Sequence, residues 1–196
     1  MAMIAIERPE VSSRTESLTR CAALSEAQRI EAAKLATEAM STLYEPLGDE
    51  VLPVLANEFQ VEGSELGDAL GLLDATVDGL IASYPAEEYQ SRQRVSLHHA
   101  LGNLSREGGG QLIARLRLLA DQIPQGGLEG QYVARFAVRS SLRGSGVADR
   151  LMDLFIADHP TVSLHVRADN ARAIGFYRRH GFVVKTAGEF QLMQRG

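Results

Sequence analysis

A glycine turn before a predicted helix is the clearest candidate for chemistry in this chain. Arg143-Gly144-Ser145-Gly146 follows an apolar segment and precedes a segment of helical spacing. The first amides of a helix have no partner inside the helix, and glycines let the backbone approach a phosphate closely. The turn therefore indicates an anion site, to which Arg143 adds positive charge. By itself it fits equally well a plain tight turn that packs a helix against a strand.

The common nucleotide-binding motifs do not describe this turn. A Walker A loop needs Gly-Lys followed by Ser or Thr, which the chain lacks. A Rossmann fingerprint needs a third glycine, and Asp149 stands at that position. An unrelated α/β phosphate binder is an alternative that the missing lysine disfavours.

Two later side chains are suited to proton transfer. His165 lies on the opposite face of its predicted strand from Leu164 and Val166, and an imidazole titrates close to neutral pH. Tyr177 holds a proton at neutral pH that it can donate. The structural alternatives are a core aromatic for Tyr177 and a polar residue on a half-exposed strand for His165.

Other titratable side chains are weaker candidates for the base. They are His98, His99, Glu87, Glu88 and Glu129. The adjacent histidines do not form a metal pair, because neighbouring helix residues point apart. We therefore predict no metal site.

The last third of the chain alternates between strands and helices, which predicts an α/β sheet. A strand at 132–138 precedes the glycine turn, and a helix from Val147 follows it. A strand at 161–166 leads to a helix that Asn170 opens and Gly181 ends as its C′ residue. Two closing strands are predicted at 182–184 and 190–192.

The first half carries a weaker pattern. Residues 17–23 are a plausible first strand, and Ser25 with Gln28 forms a capping box for the helix that follows. A second helix is predicted over 49–59.

A β-hairpin is expected to come next. Its strands are predicted at 70–73 and 80–84, with Asp78-Gly79 as the turn signal. Residues 86–128 then form a mostly helical insert, which Gly108-Gly109-Gly110 is expected to break.

Composition excludes several classes of protein. The 196 residues are 45% hydrophobic, enough for one core, with a net charge of −5 that disfavours a general nucleic-acid binder. Cys21 is the single cysteine, so no intrachain disulfide forms and a cytoplasmic location is expected. No run of about 20 apolar residues predicts a membrane span. Residues 1–15 are interpreted as a tail, and residues 16–196 as a single domain.

The glycine turn belongs to a larger pattern. Phe136-Ala137-Val138 precedes the run from Arg143 to Ala148, and Asn170, Phe176-Tyr177 and Gly181-Phe182 follow. Together these motifs resemble the GNAT superfamily of N-acetyltransferases, in that family's order and spacing. The resemblance covers about residues 130–185 and implies a mixed sheet of six or seven strands, flanked by helices and splayed between the fourth and fifth strands. The insert before the fourth strand departs from the usual pattern.

The resemblance also implies a co-substrate and the residues that hold it. Acetyl-coenzyme A would bind in the splayed gap, with its pantetheine on strand backbone and its pyrophosphate on the turn. The implied binding residues are Ala137, Val138, Arg143, Gly144, Ser145, Gly146, Val147, Ala148 and Asn170.

The implied reaction is direct transfer of an acetyl group to an amine. Tyr177 would be the general acid for the leaving thiolate and His165 the general base, often through water, while a backbone N–H near Val138 would stabilise the oxyanion. The acceptor would be a small-molecule or peptide amine, and Glu87 and Glu88 are expected to line its side of the site. A non-catalytic GNAT-like module that binds coenzyme A or a protein partner is the alternative. Dimerisation is common in the family, so a homodimer is compatible with the resemblance.

Overall fold

A seven-stranded mixed sheet organises the computed structural model, which describes residues 18–124 and 126–196. The predicted tail, Glu16 and Ser17 lie outside the described residues. The strands are β1 Leu18–Arg20, β2 Leu70–Leu73, β3 Val77–Pro85, β4 Gln131–Val138, β5 Val162–Arg167, β6 Val183–Thr186 and β7 Phe190–Arg195. The α-helices are α1 Glu26–Ala39, α2 Ser41–Tyr44, α3 Val51–Glu58, α4 Tyr89–Asn103, α5 Arg106–Ala120, α6 Val147–Asp158 and α7 Ala171–Arg179.

The sheet runs in the order β1-β2-β3-β4-β5-β7-β6. Its only parallel pair among the described strands is β4 with β5, and the other neighbouring strands are antiparallel. The predicted mixed α/β sheet with flanking helices is therefore confirmed.

Two apolar cores cover opposite faces of the sheet. One core joins α1, α2 and α3 to β3 and to Leu112 and Leu119 of α5. The other packs α6 and α7 against β4 and β5, with Leu151, Phe155 and Leu164 almost fully buried. Because side chains alternate along a strand, β4 turns Val138 to this core and Ala137 to the first.

Several predicted ends of elements agree with the structure. The Ser25 side chain accepts a hydrogen bond from the Gln28 amide and the Gln28 side chain accepts one from the Ser25 amide, which is the predicted capping box. Gly181 follows α7 with φ +84, as expected of a C′ glycine.

Two turn predictions in the middle of the chain are wrong. Asp78-Gly79 lies within β3, and the chain reverses at residues 74–76. A Cβ on Gly79 would come within 2.9 Å of Leu151 Cδ2, so this glycine lets α6 approach the sheet. The run Gly108-Gly109-Gly110 lies inside α5, because the break falls earlier, where the Ser105 side chain accepts a hydrogen bond from the Gly108 amide.

The predicted insert consists of α4 and α5, which lie between β3 and β4 in the chain. Among the described residues, none of the helices is long and apolar enough to cross a bilayer.

Candidate active site

A gap opens between the two parallel strands in the middle of the sheet. Strands β4 and β5 pair only at their first residues, and Val133 with Leu164 is the last pair. Beyond it, β4 continues to Val138 and β5 to Arg167 without pairing to each other. A bulge accompanies the separation, because Ser83 faces Val133 and Ala82 faces Arg135, which leaves one extra residue in β4.

The register of β3 determines which backbone groups of β4 face this gap. The Arg139 N–H donates to the Asp78 carbonyl at 2.9 Å, so these two residues form a hydrogen-bonded antiparallel pair. Two residues earlier, Ala137 opposite Leu80 is again such a pair, and its backbone groups point to β3. The backbone N–H and C=O of Phe136 and Val138 therefore point to the gap.

The glycine turn lies just beyond the end of β4, exposed at the start of α6. Gly144 and Gly146 both have φ +87, a left-handed conformation that glycine adopts without strain. A Cβ on either glycine would meet no described atom within 4 Å, so the space in front of the turn is open.

Two backbone amides of the turn already donate hydrogen bonds to carbonyls of the same segment. The Arg143 N–H donates to the Ser140 carbonyl at 3.3 Å, and the Ser145 N–H donates to the Leu142 carbonyl at 3.1 Å. Val147 and Ala148 are the first residues of α6, where amides have no partner inside the helix. The Arg143 guanidinium forms an exposed ion pair with Glu38 of α1 at 3.0 Å.

Asn170 caps α7. Its Oδ1 accepts a hydrogen bond from the Ala173 amide at 3.0 Å, the usual function of an N-cap asparagine. This oxygen is therefore engaged in holding the helix that carries Tyr177.

Tyr177 belongs to the core on the α7 side of the sheet. Its ring centroid lies 6.3 Å from that of Phe136 and 5.5 Å from that of Phe182. Burial raises the pKa of the Tyr177 hydroxyl, so it stays protonated at neutral pH.

His165 lies on the other face of the sheet, as the strand alternation predicts. Its Nδ1 is 3.1 Å from the Tyr132 hydroxyl, and Tyr89 of the insert packs beside both rings. Nε2 is buried and has no hydrogen-bond partner among the described residues. Burial lowers the pKa of His165 to about 4, so the ring is neutral at pH 7; the Pro124 backbone carbonyl, which stands outside normal hydrogen-bond geometry, partly opposes the shift.

His165 and Tyr132 line a cavity of about 510 Å³ between the sheet and the insert. Four charged side chains that sequence reasoning missed also line it: Glu58, Glu65, Arg135 and the exposed Arg94. A charged residue inside an apolar strand such as β4 was the signal for Arg135, because such a residue needs a partner when it is buried.

Arg135 and Glu65 form a buried ion pair at 3.3 Å, with side chains 6% and 13% exposed. The guanidinium also donates to the Tyr44 hydroxyl at 3.0 Å, and Tyr84 donates to the other Glu65 oxygen at 3.0 Å. Burial alone would lower the pKa of Arg135, but Tyr44 and Glu65 raise it, so the cation persists.

The Glu58 carboxyl group is held by a hydrogen bond, whereas that of Glu65 is held by an ion pair. Its Oε1 accepts a 2.6 Å hydrogen bond from Ser96 of α4. Burial raises the pKa of Glu58, and the Ser96 hydrogen bond partly opposes that shift.

The weaker candidates from the sequence lie elsewhere. Glu88 forms an ion pair with Arg92 at 2.7 Å, and neither Glu87 nor Glu88 lines the cavity. His99 Nε2 is 3.0 Å from the Val54 carbonyl, while both backbone groups of Glu129 bond to Ser163. Within residues 18–124 and 126–196, no cluster of three metal-binding side chains occurs.

Several solved structures share this fold. An N-acetyltransferase from Staphylococcus aureus Mu50 matches with a TM-score of 0.66 and 19% identity, over 87% of this chain and 96% of that one. Ard1 from Thermoplasma volcanium matches with a TM-score of 0.53 and 19% identity, over 93% and 97%. A protein described as histone acetyltransferase HPA2 and related acetyltransferase, from Corynebacterium glutamicum, matches with a TM-score of 0.53 and 17% identity, over 93% and 96%.

A search of curated protein sequences finds no match. The sequence model of the acetyltransferase (GNAT) family matches residues 72–182, more than half of the chain. That match includes β3, the gap between β4 and β5, the glycine turn and α7. With the separated strands and the shared fold, it shows that this chain belongs to the GNAT acetyltransferase family.

Proposed function

We propose that this protein transfers the acetyl group of acetyl-coenzyme A to a primary amine that enters from the cavity beside His165. Acetyl-coenzyme A is the co-substrate of the GNAT family, and an acyltransferase activity follows from membership. The separation of β4 from β5 after Val133 and Leu164 is the observation that supports an amine entering from the cavity. It places the cavity next to backbone groups of β4 that β5 does not pair with.

The glycine turn is proposed to bind the pyrophosphate. The amides of Gly144, Gly146, Val147 and Ala148 are the better donors, since those of Arg143 and Ser145 bond within the turn. The side chains of Arg143 and Ser145 remain part of the proposed site, because both are exposed beside the turn.

The backbone of β4 is proposed to bind the pantetheine arm. The register favours Phe136 and Val138 over Ala137, whose backbone groups face Leu80. The Val138 N–H is then suited to the thioester oxygen, where negative charge develops during attack. Asn170 is proposed to act through the cap of α7, with its amide nitrogen available to the co-substrate.

Tyr177 is proposed to donate a hydrogen bond to the leaving sulfur. Its protonated state suits that function, and its position against Phe136 puts the ring beside the gap. Because burial raises its pKa, complete transfer of the proton to a thiolate is less favourable than hydrogen bonding during C–S cleavage.

His165 is proposed to accept the proton that the amine loses as its nitrogen bonds to the carbonyl carbon. The neutral ring is ready to accept, and Nε2 is free of described partners. A pKa near 4 makes His165 a poor base for a free alkylammonium ion, whose pKa is about 10. The amine is therefore expected to react in its neutral form and to become acidic only during attack.

Thiol release tests the proposal directly. The protein is incubated with acetyl-coenzyme A and a panel of amines and peptides, and free coenzyme A is measured with a thiol reagent. Release that requires an amine, with the acetylated amine found by mass spectrometry, supports transfer. Binding of acetyl-coenzyme A without release for any acceptor would favour a non-catalytic module.

The Tyr177→Phe variant tests whether the Tyr177 hydroxyl assists departure of the sulfur. It preserves the packed ring, so a fall in kcat with an unchanged melting temperature is expected. An unchanged kcat would remove Tyr177 from the mechanism. The cytoplasmic location and the homodimer stay predictions from the sequence.

A further inference from the structure

The cavity beside His165 has a size and lining that define what it can hold. Its volume of about 510 Å³ lies within the usual range of small-molecule sites, roughly 300–1,000 Å³. It is therefore larger than a bare amino group or a short polar amine requires.

Two walls of this cavity are apolar and come from separate helical elements. One wall is built by Leu47, which precedes α3, and by Val51 and Val54 in the first half of α3. A second apolar group in the lining is formed by Leu112, Leu116 and Leu119 of α5 in the insert. Such walls gain free energy by contact with apolar groups and offer no hydrogen bonds to a polar chain.

The polar lining comes from the sheet and from α4, which contributes Gln90, Gln93, Arg94 and Ser96. On the sheet, Tyr132, Arg135 and His165 project from β4 and β5, next to the point where these strands separate. Glu58 and Glu65 add two carboxyl groups, of which only Glu65 is paired with Arg135. A ligand is thus offered polar groups at the sheet and α4, and an apolar space lined by α3 and α5.

We infer that the acceptor is an amphipathic primary amine, with its amino group at His165 and an apolar body in the space lined by α3 and α5. This inference rests on the proposed function and names its substrate class. Glu58 has no ion-pair partner among the described residues, and its carboxyl group favours a basic head group over an acid. The apolar walls favour an alkyl or arylalkyl body over a polyamine or a polar peptide.

A homologous series of n-alkylamines, from propylamine to octylamine, tests the inference with acetyl-coenzyme A held constant. Each buried methylene is expected to lower KM about fourfold until the apolar space is filled. Phenylethylamine is expected to react well, and spermidine and a lysine peptide poorly.

Leu116 and Leu118 provide a matched pair of positions for variants. Leu116 lines the cavity, whereas Leu118 lies on the same helix but is 63% exposed and does not line it. Leu116→Phe is expected to raise KM for octylamine at least tenfold and leave KM for propylamine and acetyl-coenzyme A unchanged. Leu118→Phe is expected to change none of them. Leu116→Ala should move the preferred chain length upwards, which keeps the test valid if the larger residue unfolds the protein.

Different outcomes separate the two proposals. Transfer to spermidine or peptides with no dependence on alkyl length would overturn the amphipathic acceptor and leave acetyl transfer standing. Tighter binding of longer alkylamines by calorimetry, with no transfer to any amine, would support the cavity assignment and contradict the proposed function. Faster reaction of octanoyl-coenzyme A than acetyl-coenzyme A with propylamine, abolished by Leu116→Phe, would assign the cavity to the donor's acyl chain and overturn the inference.

Discussion

The Tyr132 hydroxyl of β4 lies 3.1 Å from Nδ1 of His165 in β5. The two residues flank Val133 and Leu164, the last pair between these strands. When Nδ1 donates to the hydroxyl, the lone pair of the imidazole is left on Nε2, the atom without a described partner. Tyr132 is therefore suited to select the tautomer that accepts a proton.

Tyr132→Phe should lower kcat about fivefold, because it removes one hydrogen bond worth about 1 kcal/mol and releases the preference between tautomers. KM for acetyl-coenzyme A should not change. Steady-state kinetics at several pH values measure both, with melting temperature as the check on folding. The same loss in a His165→Gln background would show that Tyr132 does not act through His165.

The sequence predicted the local structure around the proposed co-substrate site better than the side chains that line the cavity. The strand, the glycine turn and the Asn170 cap are local features, and each depends on residues close together in the chain. The direction of the Ala137 backbone depends instead on the register with Leu80, which no local pattern encodes. A segment of the chain cannot report which neighbouring strand it will pair with or in what register.

The charged side chains of the cavity were missed for the same reason. Glu58, Glu65 and Arg135 meet only because α3, the segment before β2 and β4 are brought together by the fold. Gly108-Gly109-Gly110 misled the helix prediction, because capping by Ser105 and packing of Leu112 and Leu119 outweigh about 1 kcal/mol for each glycine.

The burial of His165 should make stability depend on pH. Its pKa is about 4 in the folded chain and about 6.5 when unfolded, so the unfolded state binds more protons between these values. The free energy of unfolding should therefore fall as the pH is lowered from 7 to 4.

Urea unfolding of the wild type and His165→Gln over that pH range isolates the effect. The wild type should lose at most about 3 kcal/mol more than the variant, and less if solvent reaches the half-buried ring. The raised pKa of Glu58 acts in the opposite direction but is present in both proteins. Parallel curves for the two proteins would mean that His165 titrates normally in the fold.

Gly146→Ala should weaken the binding of acetyl-coenzyme A. The residue has φ +87, where a Cβ costs about 1–2 kcal/mol, and the turn is expected to shift its amides to relieve that strain. An increase in KM for acetyl-coenzyme A of about tenfold corresponds to about 1.4 kcal/mol. KM for the acceptor should stay the same.

Gly102→Ala is the matched control for this change. Gly102 lies in α4, and an added Cβ would meet no described atom within 4 Å. That variant should keep normal kinetics and gain up to about 1 kcal/mol of stability. Equal KM values for both alanine variants would exclude the turn as the pyrophosphate site.

The buried pair of Arg135 and Glu65 should be costly to break from one side. Arg135→Met leaves the Glu65 carboxylate without its guanidinium partner, which should lower the free energy of unfolding by about 3–5 kcal/mol. Adding Glu65→Gln removes the uncompensated charge and should recover part of that loss. Arg20→Met is the control, because its ion pair with Asp68 is exposed and should contribute no more than about 1 kcal/mol. Urea unfolding at pH 7 compares the four proteins, and similar losses for Arg135→Met and Arg20→Met would mean that solvent screens both pairs equally.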